Sequence, residues 1–106
     1  MSIENFTGVY REYYNEEKTK IKSEVFMLNG KRNGIYKSYY SNGELREEGN
    51  YIDDKKNGVY KEYKYNGQLH FEINYIDNKK NGIYKSYYNG ELYEDVIYIN
   101  DEKDEN

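Results

Sequence analysis

Acid–base, nucleophilic and metal chemistry draw on a short set of side chains, and this chain holds few of them. It has a single histidine, His70, and no cysteine. Metal sites built on Cys/His spacing are therefore excluded. A lone imidazole with no nucleophile motif beside it reads as a surface residue, placed on a polar strand face opposite Tyr63. Asp53-x-Lys55-x-Asn57-Gly58 and Asp77-x-Lys79-x-Asn81-Gly82 open with the spacing of a calcium loop. Lysine stands at the third ligand position, however, and Lys64 or Tyr88 occupies the twelfth, where a bidentate Glu is needed. No phosphate-cradling glycine loop and no G-x-S-x-G elbow occurs. These residues point to a non-enzyme without cofactor or metal.

Two residue classes are left that could recognise a partner. Sixteen residues are tyrosine, which gives large contact area at low entropic cost. The pairs Lys31-Arg32, Lys55-Lys56 and Lys79-Lys80 recur at one point of a repeating phrase. They are expected to line up along one sheet edge as a basic, anion-attracting ridge facing acidic protein or lipid headgroups. The plainer reading is favoured: soluble turns whose lysines guard against edge pairing, with Asp53, Asp54 and Asp77 diluting the field. Sixteen basic residues stand against twenty acidic ones, for a net charge of −4. That balance excludes a general nucleic-acid binder.

The elements that position these residues follow from the period. Gly34, Gly58 and Gly82 are spaced by 24, and each opens the phrase Gly-[Ile/Val]-Tyr-Lys-x-Tyr. Gly8-Val-Tyr-Arg-Glu-Tyr13 is a fourth copy, 26 residues before Gly34. Each of the last three phrases runs into Asn-Gly, at Asn42-Gly43, Asn66-Gly67 and Asn89-Gly90. Asn-Gly between β-type runs is a hairpin signal, because both central turn positions need positive φ. Each copy therefore reads as strand, tight turn, strand, about eight antiparallel strands in all. A two-residue Asn42-Gly43 turn sets Tyr40 opposite Leu45, Ser38 opposite Glu47 and Tyr36 opposite Gly49. Cross-strand partners share a face. Tyr36, Tyr40, Leu45 and Tyr51 then form an aromatic face, and Ile35, Lys37, Tyr39, Arg46 and Glu48 a charged one. The fourth copy lacks the residue corresponding to Ser41, so either its loop differs or Tyr87 replaces Tyr88 on the aromatic face.

The chain has no Ala, Pro or Trp and only four Leu. That is too little aliphatic material for a thick core, and too much aromatic and β-branched material for disorder. A thin all-β structure is expected: an elongated single-layer antiparallel sheet of about four stacked hairpins. It would form one domain over 1–100, with repeats at about 8–33, 34–57, 58–81 and 82–100. Residues 101–106 (DEKDEN) read as a disordered acidic tail. No signal peptide or membrane span is visible after Met1, which makes a cytoplasmic location the default.

The phrase Asn-Gly-[Ile/Val]-Tyr-Lys-x-Tyr…Asn-Gly-x-Leu…Tyr-Ile-[Asp/Asn] resembles the bacterial-type variant of MORN repeats, over about Gly8 to Asn100. It looks like the antitoxin YwqK family, whose members consist of such repeats. The resemblance implies stacked hairpins with aromatic positions at Tyr36, Tyr60 and Tyr84, and at Tyr51, Tyr75 and Tyr98. With Tyr40, these are the candidate protein-binding residues, and cross-strand packing is their competing role. The function implied is a non-enzymatic protein-binding module, of the antitoxin or immunity type, that neutralises a toxin partner. The alternatives are a scaffold that self-associates, as a homodimer for instance, and a weak binder of anionic membrane surfaces through the basic turns.

Overall fold

Each repeat must reverse its backbone twice, and the φ angles separate the two kinds of reversal. The computed structural model describes residues 5–104. The long strands are β1 (Gly8–Tyr13), β2 (Ile21–Leu28), β3 (Lys31–Tyr39), β4 (Leu45–Ile52), β6 (Gly58–Tyr63), β7 (Leu69–Ile76), β9 (Gly82–Tyr88) and β10 (Glu91–Ile99). Three two-residue strands sit between or after them: β5 (Lys55–Lys56), β8 (Lys79–Lys80) and β11 (Glu102–Lys103). All pairings are antiparallel, and the strands form one open sheet in near-sequential order. The fold is the expected all-β, single-layer stack of hairpins, with extents of 50 × 30 × 13 Å.

Except in the fourth repeat, the tightest turns lie between repeats rather than within them. Asp53-Asp54 (φ 51° and 67°), Asp77-Asn78 (49° and 70°) and Asn100-Asp101 (50° and 71°) each place two consecutive residues in the left-handed region, as Asn29-Gly30 does. This is the signature of a two-residue type I′ turn, which Asn and Asp tolerate better than other side chains. In the hairpin loop inside the second repeat, by contrast, only Gly43 has positive φ, at 91°. The Gly43 amide donates to the Tyr40 carbonyl (2.9 Å) and the Tyr40 amide to the Glu44 carbonyl (2.8 Å). The expected two-residue turn at Asn42-Gly43 is thus a three-residue loop, a type I turn closed by a left-handed glycine. The third repeat repeats it around Gly67, at 2.8 Å for both bonds.

That extra loop residue displaces the register beside the turn. Ser38 opposes Glu47 and Tyr36 opposes Gly49, as expected, but Leu45 opposes Tyr39 and not Tyr40. Arg46 is bulged out. His70 and Tyr93 occupy the same bulge position, with Leu69 opposite Tyr63 and Leu92 opposite Tyr87. A bulge sets two residues against one and turns the strand locally, so these leucines join the face of Tyr39, Tyr63 and Tyr87. The fourth repeat resolves the open alternative in favour of a different loop. Asn89 and Gly90 both have positive φ, at 51° and 81°. This true two-residue turn absorbs the missing residue, and Ser86 still opposes Glu94 as Ser38 opposes Glu47.

The chain does not fray at Asp101. Glu102 and Lys103 pair with Ile99 and Tyr98, and the Asp104 amide donates to the Ile97 carbonyl at 2.7 Å. The expectation of a disordered tail therefore fails for residues 101–104; residues 105 and 106 lie outside the described residues. The core is a single row on one face. Val25, Met27, Tyr51, Tyr60 and Ile73 are buried, and Phe6, Tyr36, Tyr75, Tyr84 and Tyr98 pack against them.

Candidate functional site

The first tyrosine of each Gly-[Ile/Val]-Tyr-Lys-x-Tyr phrase and the closing tyrosine of each repeat meet on this core face. Tyr36 and Tyr51 stand edge to face at 5.8 Å between ring centroids, Tyr60 and Tyr75 at 5.8 Å, and Tyr84 and Tyr98 at 6.2 Å. Such geometry sets the positive ring edge against the negative ring face. Six of the seven expected tyrosines are therefore together. Tyr51 and Tyr60 are only 6% exposed each, whereas Tyr36, Tyr75, Tyr84 and Tyr98 are half-buried. Tyr40 stands apart at the turn edge. Its ring meets Tyr65 at 5.3 Å, and its hydroxyl donates to the Tyr63 carbonyl at 2.7 Å, tying one repeat to the next.

Gly49 makes the closest part of this packing. It lies directly under the Tyr60 ring, where any β-carbon would collide with the ring atoms. The Tyr60 hydroxyl donates to Glu47 Oε2 at 2.9 Å, and the buried Ser38 hydroxyl donates to Glu47 Oε1 at 3.2 Å. Burial, then the Glu47 charge and this hydrogen bond, hold the Tyr60 phenol far above its ordinary pKa. On the opposite face Tyr63 donates to Glu48 at 2.7 Å. Its phenol is pushed up to about 12, by burial first and by that bond second. Tyr39 to Glu24 and Tyr87 to Glu72 repeat the contact, at 3.1 and 3.2 Å.

The six cations do not form one ridge. Arg32, Lys56 and Lys80 turn onto the tyrosine face. The Arg32 guanidinium lies 4.3 Å from the Tyr51 ring centroid. Lys56 Nζ lies 4.4 Å from Tyr60 and 5.0 Å from Tyr75, and Lys80 Nζ lies 5.1 Å from Tyr98. Cation–π attraction of this kind is worth roughly 0.5–2 kcal/mol. Lys31, Lys55 and Lys79 are exposed and register with Leu28, Ile52 and Ile76. Strand alternation explains the split, since neighbouring residues point to opposite faces. Asp54 accepts from the Arg32 backbone amide (2.8 Å) and from its guanidinium (3.0 Å), which together lower the Asp54 pKa.

His70 does not sit opposite Tyr63; Leu69 does. As the bulged residue His70 reaches Glu62, with Nδ1 3.5 Å from Oε2, and stands edge-on to Phe71 at 5.4 Å. Glu62 opposes Glu47 across the joint between β4 and β6. Among the described residues no group of three or more His, Asp or Glu is placed to hold a metal ion.

A second ordered array runs along the charged face, through the Lys37–Glu48 pair. Arg11, Glu24, Lys37, Glu48, Lys61, Glu72, Lys85 and Asp95 are successive cross-strand partners across the whole sheet. The signs alternate at every step. The signal was available at the 24-residue period, with a cation three residues after each phrase glycine and an acid three residues after each Leu or Ile that follows the turn. Beside this row the same face leaves Val9, Ile35, Val59, Ile83 and Ile97 exposed, Ile35 by 63%. The face opposite the tyrosines is therefore charged along one line and mainly apolar along the next, where Asn50 and Asn74 stand between the aliphatic residues.

Residues 32–53 and 56–77 match the MORN repeat variant. These two adjacent stretches cover most of the second and third hairpins. Repeats of this kind are generally protein- or membrane-binding modules and carry no catalytic centre. No curated protein and no solved structure matches the chain.

Proposed function

We propose that this protein is a non-enzymatic binding module that takes an acidic segment of a partner protein along its tyrosine face. The carrying observation is the strip formed by the half-buried rings of Tyr36, Tyr75, Tyr84 and Tyr98, with Arg32, Lys56 and Lys80 held over tyrosines along it. Aromatic rings with fixed cations suit a carboxylate-bearing apolar segment, and the open sheet leaves the strip accessible along its length. Tyr51 and Tyr60 hold the strip together, while the half-buried rings meet the partner. The finer reading is an antitoxin or immunity role, in which the partner is a toxin occluded by this face. It rests on the resemblance of the repeats alone, and a cytoplasmic location goes with it.

The test is affinity capture from lysate of the source cell with the unmodified protein and with an Arg32→Glu/Lys56→Glu/Lys80→Glu variant. A partner retained by the first and lost by the second supports the binding reading. Growth arrest by that partner alone, relieved by co-expression of this chain, supports the antitoxin role. Recovery of no protein by the unmodified chain, or equal recovery by both, overturns the proposal.

A further inference from the structure

The face opposite the tyrosine strip carries a pattern that the proposed partner does not use. The charge row holds eight residues, cationic at the β1 end and anionic at the β10 end. A strictly alternating row of even length is complementary to itself when its order is reversed. A two-fold axis parallel to the strands, between β4 and β6, makes that reversal and keeps each row over its own counterpart. Lys37 then faces Glu72 of the second copy, Glu48 faces Lys61, and every pair further out is also of opposite sign. The same operation lays the neighbouring row on itself: Val9 falls opposite Ile97 and Phe26 opposite Ile83, while at the centre Val59 meets Asn50 and Ile35 meets Asn74.

From this self-complementarity we infer that the protein forms a two-fold dimer by packing these outer faces together, as a two-sheet sandwich. Three further observations fit this occupant. The exposed Val9, Phe26, Ile35, Val59, Ile83 and Ile97 make an apolar row, interrupted by Asn50 and Asn74, that is longer than solubility alone explains. The 50 × 30 Å face exceeds the area of about 800 Å² per partner that a standard interface needs. Two sheets pack face to face with their strands within about 30° of one another, which is compatible with an axis parallel to the strands. Pairing at the sheet edges is a poorer match. A two-fold β10–β10 contact would set Asp95 near its own copy, and β1–β1 would do the same with Arg11. The dimer uses the face away from the tyrosine strip, so it stands or falls independently of the partner proposed for that strip.

Sedimentation velocity over a concentration series tests the inference, with circular dichroism to confirm folding. The expected result is a monomer–dimer equilibrium that Val59→Lys shifts to monomer. Lys37→Glu and Glu72→Lys each create two like-charge contacts per dimer and should weaken association roughly tenfold or more. Mixed in equal amounts they should form a heterodimer tighter than either variant alone, because both contacts are then of opposite sign. This arm decides the matter even if Val59→Lys fails to fold. A monomer at every concentration, an open-ended series of oligomers, or a mixture no tighter than its components overturns the inference.

Discussion

Replacing Gly49 with alanine tests the central packing of the tyrosine face. Gly49 has ordinary strand backbone, without the positive φ of eight other glycines. On backbone grounds Ala should stabilise such a site by about 0.5–1 kcal/mol. The structure reverses that sign, because the added β-carbon would fall among the atoms of the Tyr60 ring, whose Cγ lies 3.0 Å away. The ring is backbone-tethered and 6% exposed, so it cannot swing freely into solvent. Overpacking of this kind costs about 1–3 kcal/mol. Moving the ring also loosens the hydroxyl bond to Glu47 (2.9 Å), a charge-assisted bond worth about 1.5–3 kcal/mol. Offset by the backbone gain, Gly49→Ala should destabilise the protein by about 2–4 kcal/mol, or about 10–20 °C in Tm for a chain of this size. Urea unfolding followed by circular dichroism measures it. The second half of the cycle is sharper. In a Tyr60→Ala background the obstruction is gone, and Gly49→Ala should become neutral or stabilising. An unchanged or raised midpoint in the wild-type background, or an equal loss in both backgrounds, refutes the reasoning.

Deleting Ser41 should convert the second repeat to the two-residue Asn-Gly turn found at Asn89-Gly90, with positive φ at both residues. Unfolding should stay cooperative with a loss of about 1 kcal/mol or less, and loss of a cooperative transition would contradict the loop equivalence. Lys56→Ala removes cation–π contacts to Tyr60 and Tyr75 (4.4 and 5.0 Å) and should cost about 0.5–2 kcal/mol. Lys55→Ala, at an exposed position, should change denaturation midpoints little; equal effects would erase the distinction between the two faces. Stability should fall in alkali. The phenols of Tyr60 and Tyr63 are raised from the ordinary 10.0, Tyr63 to about 12. A raised folded-state pKa favours the neutral phenol in the native state, so this stabilisation is intact below pH 10 and declines as pH rises through 12. Thermal melts across that range, with phenolate absorbance as a second readout, check it. Full phenolate titration near pH 10 with the fold intact would refute it.

Much of the architecture was legible because a repeat forces every copy to solve the same problem. The recurrence of Gly34, Gly58 and Gly82 marked the unit. Alternation along Gly34–Tyr39 separated the tyrosine face from the charged one, and Ser38–Glu47 and Tyr36–Gly49 pair as the turn count implied. Six of the seven named tyrosines gather accordingly. The charge row was equally visible at the repeat period, but two positions that are distant in sequence become neighbours only when each strand joint is known.

The sequence alone determined the repeat, the hairpins, the all-β class and which tyrosines share a face, because these depend on spacing within one unit. Tertiary structure decided which reversals are type I′ turns. At Asp53-Asp54 the left-handed pair is held by the Arg32 amide and guanidinium, which donate to Asp54 from the turn one repeat earlier. It decided that Arg46, His70 and Tyr93 bulge, since a constant insertion is invisible to a period that already contains it. It also sent Arg32, Lys56 and Lys80 onto the tyrosines while leaving Lys31, Lys55 and Lys79 in water. The letters of those three pairs are nearly identical; their separation arises from the pleat, and its energy from rings supplied by other strands.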